Sequence, residues 1–240
     1  MQLFYDPQFN PEADTLRLDD DEARHALKVL RLGPGDTLSV TDGRGNLYTC
    51  RITGADRRQC ELQVAVESVA SGTGELPYRL TMAVAPTKNA DRFEWFLEKA
   101  TEVGVSEIIP LETARGERRA VKEERCMKVI AAAMKQSLKC RCPLLHPMTP
   151  FYRLMAMPFG GRKFIAHCDD SGERRFLGDE LHAGEEAMVL IGPEGDFSPE
   201  EIASALSHGF RPVTLGNQRL RTETAAVVAT VIAATVNNRE

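Results

Sequence analysis

The sequence predicts an α/β protein in which a parallel sheet is covered by helices and preceded by a small β-rich domain. Three observations carry that expectation. From residue 78 onward strand-like and helix-like segments alternate, the pattern of a parallel sheet with helical crossovers. Residues 1–70 read instead as short alternating strands. Between them lies Ser71 to Pro77, SGTGELP, where Gly, Ser and Pro cluster, so a linker is expected at 71–77 and the two domains at 1–70 and 78–240.

In the first domain Thr37 to Thr41, Tyr48 to Thr53 and Gln59 to Val66 alternate as half-buried strands, with turns at Asp42 to Asn46 and Gly54 to Arg58. A short helix, Asp20 to Leu30, interrupts them, and the set suits a closed or nearly closed small barrel. Beyond the linker, strands are expected at Arg79 to Ala85, Glu107 to Leu111, Lys163 to His167, Met188 to Ile191 and Arg211 to Leu215. Helices are expected at Asp91 to Val103, at Lys122 to Leu138, from Ser198, and at Thr222 to Asn237. Phe93, Phe96, Leu97, Ala100 and Val103 share one face of the first, and Cys126, Val129, Ile130, Ala133 and Met134 one face of the second, as core stripes. The last helix reads AAVVATVIAATV, small and apolar on nearly all sides, which predicts burial rather than amphipathy.

The stretch Met188 to Glu201, MVLIGPEGDFSPEE, holds a strand, a tight loop and a helix start. Ser198 can cap the helix, Pro199 sits where its missing N–H costs nothing, and Glu201 completes a capping box. Gly192 and Gly195 let a ligand approach the main chain closely, although a tight turn with no ligand fits the same residues. A second loop of this kind, Leu215 to Thr224, LGNQRLRTET, leads into the apolar helix. It carries Arg219, Arg221 and Glu223, charges that are costly there unless paired or used. An Arg to Glu ion pair that orders the loop is the plainer reading. In an open parallel sheet a ligand binds at the carboxyl ends of the strands, where His167 and Cys168, Gly192 to Gly195, and Leu215 to Gly216 gather. Neither a G-x-G-x-x-G after the first strand nor a P-loop is present, so dinucleotide and nucleotide-triphosphate sites are unsupported.

Composition narrows the classes further. The chain has 240 residues, 42% of them hydrophobic, and a formal net charge of −5, which argues against a protein coated along its whole surface with nucleic acid. Nine Lys or Arg face three Glu between Arg115 and Arg141, a local charge of +6 that points to a basic surface. No apolar run is long enough to span a bilayer, and MQLFYDPQFN is not signal-like, so a cytoplasmic protein without a membrane partner is expected. Six Cys, with Cys140 and Cys142 as the one close pair and Cys50, Cys60, Cys126 and Cys168 scattered, suggest reduced thiols and no metal site.

IGPEGDFSPEE followed by LGNQRLRTETAA resembles the C-terminal signature of the RsmE family, bacterial 16S rRNA uridine-N3 methyltransferases of the SPOUT superfamily. His25, Val29, Leu30, Arg31, Gly35 and Asp36 resemble its N-terminal block, and Lys88, Glu94, Lys99, Thr101, Glu102, Gly104, Val105 and Pro110 its central one. Two departures stand out: Asp196 replaces a Gly after GPEG, and KQSLK places Lys135 and Lys139 where the family has Glu and Arg.

The resemblance implies a PUA-like RNA-binding barrel followed by a SPOUT sheet with a C-terminal trefoil knot, paired as a homodimer. It implies S-adenosylmethionine bent among the knotted loops, on His167, Leu190, Ile191, Gly192, Glu194, Gly195, Leu215, Gly216, Leu220, Thr222 and Thr224. It implies 16S rRNA, within the small ribosomal subunit, as partner. His25, Arg31, Lys88, Arg115, Arg118, Arg119, Lys139 and Arg141 are the expected RNA contacts. Methylation of uracil N3 needs charge control and in-line positioning, on an unpaired base. Arg221 suits stabilisation of the uracil anion; Glu223 either holds Arg221 or takes part itself, Glu194 either accepts the proton or orients the base, and the general base stays open. Another RNA target, tRNA or 23S rRNA, and a catalytically silent assembly factor are the other classes.

Overall fold

Alternation of apolar and polar residues shapes the first part of the chain. The computed structural model describes residues 2–10, 12, 16–18, 20–56, 61–168 and 172–238, which divide into one unit of residues 1–75 with 131–142 and another of residues 76–130 with 143–240. In the first unit β1 (Leu3–Tyr5), β2 (Leu16–Arg17), β3 (Thr37–Thr41), β4 (Leu47–Asp56) and β5 (Glu61–Ala70) form a sheet in the order β1-β3-β4-β5-β2. All pairs are antiparallel except β1 on β3. Leu38, Val40, Ile52, Leu62 and Val64 alternate into a core with Phe4, Phe9 and Leu27. Among the described residues no pairing of β1 with β2 closes the sheet. The expected start of a strand at Gln59, with Cys60 and the end of the Gly54 to Arg58 turn, lies outside the described residues.

The helix expected at Asp20 to Leu30 is α1 (Asp20–Arg24) continuing as a π-helical turn, His25–Val29, and ending at Arg31 with a left-handed φ of +60°. A buried carboxylate organises the turn after β3. Asp42 accepts from Arg44 N at 2.8 Å, from Asn46 Nδ2 at 2.8 Å and from the Tyr48 hydroxyl at 3.2 Å. Burial opposes its ionisation, but these donors and the Arg44 guanidinium win and hold the carboxyl below its ordinary range.

Residues 131–142 complete this unit. Thr41 Oγ1 and Gly45 N donate to Cys140 O at 3.0 and 2.8 Å, and Cys142 N donates to Gly43 O at 2.8 Å. Lys135 pairs with Glu22 and Arg141 with Glu75. A linker signal between periodic regions says nothing of a segment that returns later, and the sequence reading did not foresee this one.

The second unit and its approaches run β6 (Arg79–Val84), α2 (Ala90–Val103), β7 (Glu107–Glu112), α3 (Glu123–Gln136), β8 (Leu144–Leu145), β9 (Thr149–Pro150), α4 (Phe151–Met155), β10 (Arg162–Ala166), β11 (Arg175–Phe176), α5 (Leu177–Glu180), β12 (Glu186–Ile191), α6 (Pro199–Ser207), β13 (Arg211–Thr214) and α7 (Thr222–Asn237). The strands order as β11-β13-β10-β12-β6-β7-β8, with β9 also on β7, and every pair is parallel. Ile165, Leu190, Ala83 and Ile109 stand side by side across four strands and pack against Phe151, Leu154, Phe197 and Ile202 of α4, α6 and the loop before α6. By the strand's alternation Val189 and Met82 turn to the other face, on which α7 contacts β6, β12 and α2. The long elements fall where periodicity puts them. β8, β9, α4, β11 and α5 are too short for a periodic pattern and were not anticipated.

One expectation for α7 changes. Ala226, Ala229, Thr230, Ala233 and Ala234 are buried, whereas Val231 is 43% exposed, so within one chain the helix packs one face only. Among the described residues no helix is long and apolar enough to cross a membrane.

The start of α6 has both halves of its capping box: Ser198 Oγ accepts from Glu201 N at 3.2 Å, and Glu201 Oε2 accepts from Ser198 N at 2.9 Å. Ser198→Ala is expected to cost about 1 kcal/mol in urea unfolding. Glu201→Ala should cost more, because Glu201 Oε1 also accepts from Ala114 N at 2.7 Å and both amides would lose their partner. Equal losses would contradict the bridging role of Glu201.

Candidate active site

Parallel pairing sets the loops after β13, β10 and β12 next to one another at one sheet edge, because these three strands are neighbours in that order. Those loops hold Leu215 and Gly216, His167 and Cys168, and Gly192 to Gly195 respectively. The convergence expected of the strand ends is therefore present. Thr222 links it to α7, its hydroxyl donating to Gly192 O at 3.1 Å.

The loop after β12 also ties down the loops of other strands. Glu194 Oε1 accepts from Lys88 N, after β6, at 3.2 Å; Asp196 Oδ2 accepts from Cys168 N, after β10, at 2.8 Å. Glu201 holds Ala114 after β7, as above. Asp196 Oδ1 further accepts from Phe197 N at 2.8 Å, and its φ is +61°, a left-handed value that suits the Gly found there in the family pattern. Gly216 has φ +132° and open space where a Cβ would stand, while its N–H donates to Thr214 Oγ1 at 3.2 Å and its carbonyl accepts from that hydroxyl at 2.7 Å.

The expected cofactor residues separate into two kinds. Leu190 and Ile191 are core residues of β12, and the Ile191 carbonyl is already engaged by Ala85 N at 3.0 Å. Gly192, Glu194, Gly195, Leu215, Gly216, Leu220, Thr222 and Thr224 lie in or beside the convergent loops, and His167 is buried at the end of β10.

Arg221 is exposed at the N-cap of α7 and, among the described residues, makes no side-chain hydrogen bond or ion pair. The alternative in which Glu223 holds Arg221 is not seen among the described residues. Glu223 faces Arg92 of α2 instead, Oε1 lying 3.7 Å from Nε, while Oε2 is shielded from solvent without a hydrogen-bond partner. Asp91, Arg92, Trp95, Arg221, Glu223 and Thr224 line a cavity of about 330 Å³. Arg92 and Trp95 were missed by sequence reasoning. The available signal was Trp95 itself, which stands off the apolar stripe of Phe93, Phe96, Leu97 and Ala100 and is 41% exposed.

The basic run is largely spent on the protein. Arg115 donates to Gly195 O and Phe197 O at 2.9 and 3.2 Å, and Arg118 to Thr87 O and Lys88 O at 3.1 and 2.7 Å. Arg119 pairs with Glu112, Arg125 with Glu94, Lys128 with Glu124, and Lys88 with Glu117. The last contact, a 2.9 Å hydrogen bond and ion pair, raises the Lys88 ammonium above its ordinary range. Glu112 and Glu94 from outside the run thus offset part of the +6 counted within it, while Lys88 engages one of the run's own Glu. In the first unit His25 meets the Phe4 ring edge-on, and Lys135 and Arg141 are paired as described, with Arg31 and Lys139 nearby in sequence to these groups. The described cysteines are free thiols, and burial pushes Cys50 up to about 12.

Comparison with known proteins defines the class. A family model described as an RNA methyltransferase domain matches residues 74–234, and one described as an RNA methyltransferase PUA domain matches residues 18–65. The ribosomal RNA small subunit methyltransferase E of Mycobacterium bovis is 30% identical over 95% of this chain and 88% of its own. A probable rRNA methyltransferase from Porphyromonas gingivalis superimposes with a TM-score of 0.92 at 43% identity, covering 99% of this chain and 98% of that one. The Neisseria gonorrhoeae ribosomal RNA small subunit methyltransferase E bound to S-adenosyl methionine does so with 0.87 at 29%, over 99% and 98%. Fold and loops are those of an RNA methyltransferase with an N-terminal PUA-like domain. The chain belongs to the RsmE family of that class.

Asp196 supplies a ranking that tests the loop ties. Asp196→Ala keeps the left-handed backbone and loses both acceptors, and is expected to cost about 2 kcal/mol in urea unfolding. Asp196→Gly, relieved of strain, should cost less, and Asp196→Asn least. A protein stabilised by the Gly replacement would show that the two bonds contribute less than the relief of backbone strain.

Proposed function

We propose that this protein transfers a methyl group from S-adenosylmethionine to N3 of a uridine in 16S rRNA of the small ribosomal subunit, as a homodimer in the cytoplasm. The observation that carries the reading is the hydrogen-bonded cluster of loops at the ends of β13, β10 and β12, with Arg221 free beside it. The bound S-adenosyl methionine of the Neisseria relative supports the cofactor. So do the open space beside Gly216, where no Cβ blocks a ligand's approach, and the tie of Thr222 to Gly192 that joins α7 to the loop after β12. S-adenosylmethionine supplies an electrophilic methyl carbon on a sulfonium. Gly192, Gly195, Leu215, Gly216, Leu220, Thr222 and Thr224 hold it, chiefly through backbone, with Leu190 and Ile191 acting as the rigid strand beneath. A trefoil knot through these loops is part of the same reading.

Arg221 is the permanent cation that stabilises negative charge as uracil loses its N3 proton. Glu194, engaged with Lys88 N, orients the loop rather than the base. The free apolar face of α7, with Val231 exposed, is the surface on which a second copy packs. RNA is held by the first unit through His25 and Arg31, with Lys88, Arg119, Lys139 and Arg141 contributing, whereas Arg115 and Arg118 spend their donors on loop carbonyls. Retention of both glycine loops and of Arg221 argues against a silent assembly factor.

Calorimetry should register S-adenosylmethionine and its demethylated product but not NAD or ATP, and 16S rRNA from cells lacking the protein should lose one methylated uridine by mass spectrometry. Loss of a tRNA or 23S rRNA methyl group instead would transfer the reading to another target. Because Arg221 has no side-chain partner among the described residues, Arg221→Ala should lower turnover by about a hundredfold or more while cofactor affinity and melting temperature stay near wild type. Parallel loss of all three would assign Arg221 a structural role. Sedimentation should find a dimer, and a fully active monomer would remove the α7 interface.

A further inference from the structure

The hollow between the starts of α2 and α7 holds two cations, two carboxylates and the chain's one tryptophan. Its volume of about 330 Å³ is that of a small-ligand pocket. Arg92 and Trp95 lie three residues apart on α2 and so share a face. Glu223 enters from the first turn of α7 with its side chain 9% exposed. One of its oxygens lies 3.7 Å from Arg92 Nε, and the other is shielded from solvent with no hydrogen-bond partner among the described residues. A shielded carboxylate oxygen without a donor is costly to keep, and a donor that arrives with a ligand removes that cost. The exposed indole face alongside is what a flat ring would stack on.

We propose that this pocket receives the target uracil, with Trp95 as its stacking surface and Arg92, Glu223 and Arg221 reading its imide edge. The proposal rests on the methyltransferase function argued above and names the groups that choose the base. The edge of uracil to be methylated presents O4 as acceptor, N3–H as donor and O2 as acceptor. The pocket is lined by groups that match these three, two guanidiniums as donors and the Glu223 carboxylate as acceptor. Cytosine reverses two of these positions, since its N3 is an acceptor facing the carboxylate and its N4 a donor facing a guanidinium. Discrimination against cytosine follows from the mismatch at the shielded Glu223 carboxylate rather than from shape.

The same arrangement gives the N3 proton a destination. As the N3–H electron pair becomes the bond to the methyl carbon, the carbon–sulfur pair goes to sulfur and the proton passes to the free oxygen of Glu223, which returns it to water after release. Arg92 and Arg221 then face the oxygens on which the uracil charge builds. The charged groups around Glu223 are Asp91 and Arg92 from α2 and Arg221 from the N-cap of α7. Thr222, between Arg221 and Glu223, touches Gly192, so the pocket adjoins the loops assigned to the cofactor.

Because Trp95 is the only tryptophan, its fluorescence reports this pocket alone. In the full-length protein saturated with S-adenosylhomocysteine, a uridine hexanucleotide should quench it at concentrations at least about tenfold below those needed by a cytidine hexanucleotide. On small subunits awaiting modification, Glu223→Gln should lower kcat about a hundredfold with little change in KM, as expected for loss of a proton acceptor. Trp95→Ala should raise KM about tenfold with kcat nearly retained, and Trp95→Phe, which keeps a ring, should restore KM. Melting temperatures close to wild type for Glu223→Gln and Trp95→Phe show that the variants are folded. Wild-type binding of S-adenosylmethionine and methyl transfer are measured alongside. If both fail, the methyltransferase reading falls and takes the pocket with it. If both hold while uridine and cytidine quench alike, or while Glu223→Gln and Trp95→Ala leave kcat and KM unchanged, the pocket assignment alone is overturned.

Discussion

A parallel sheet sends every loop that follows a strand to the same edge, and each of those loops must find partners for backbone amides that the sheet no longer pairs. Here one stretch, residues 192–201, supplies them. Glu194 takes the amide of Lys88 after β6, Asp196 that of Cys168 after β10, and Glu201 that of Ala114 after β7, while Gly192 offers its carbonyl to Thr222. The carboxylates of GPEGDFSPEE thus serve first as acceptors within the protein. The loops of separate strands become one hydrogen-bonded body, and main-chain groups left open there are fixed before any ligand arrives.

What the sequence made legible was local. The α6 cap could be read because Ser198, Pro199 and Glu201 act on one another within a turn, and α7 because its apolar run begins and ends cleanly at Thr222 and Asn237. The second bond of Glu201 spans 87 residues and has no local trace. The contact of Glu223 was out of reach for the same reason: Arg221, two residues away, was the one partner that local reading could offer, whereas Arg92 approaches from α2. The burial of α7 was overstated because small apolar residues run all round the helix, while only one face of it meets the sheet and α2.

Charge counting along the chain failed differently. The run from Arg115 to Arg141 looks unbalanced only while its own acidic residues are counted, and folding brings Glu112 and Glu94 to it from other elements. Arg115 and Arg118 instead hold carbonyls of the loops after β12 and β6. Guanidinium groups that close loops in this way are poor candidates for nonspecific phosphate binding, since their donors are already directed. Attraction of a polyanion would have to come from those cations whose pairs are exposed and weak, such as Lys128 with Glu124.

The return of residues 131–142 to the first unit has a consequence for synthesis. A domain translated first usually folds first, while the rest of the chain is still being added. This unit lacks the carbonyl of Cys140 until residue 142 has left the ribosome, so Thr41 Oγ1 and Gly45 N in and after β3 wait for their acceptor. At ordinary elongation rates that wait lasts on the order of several seconds. The nascent barrel is most exposed to proteases and to premature association during that interval.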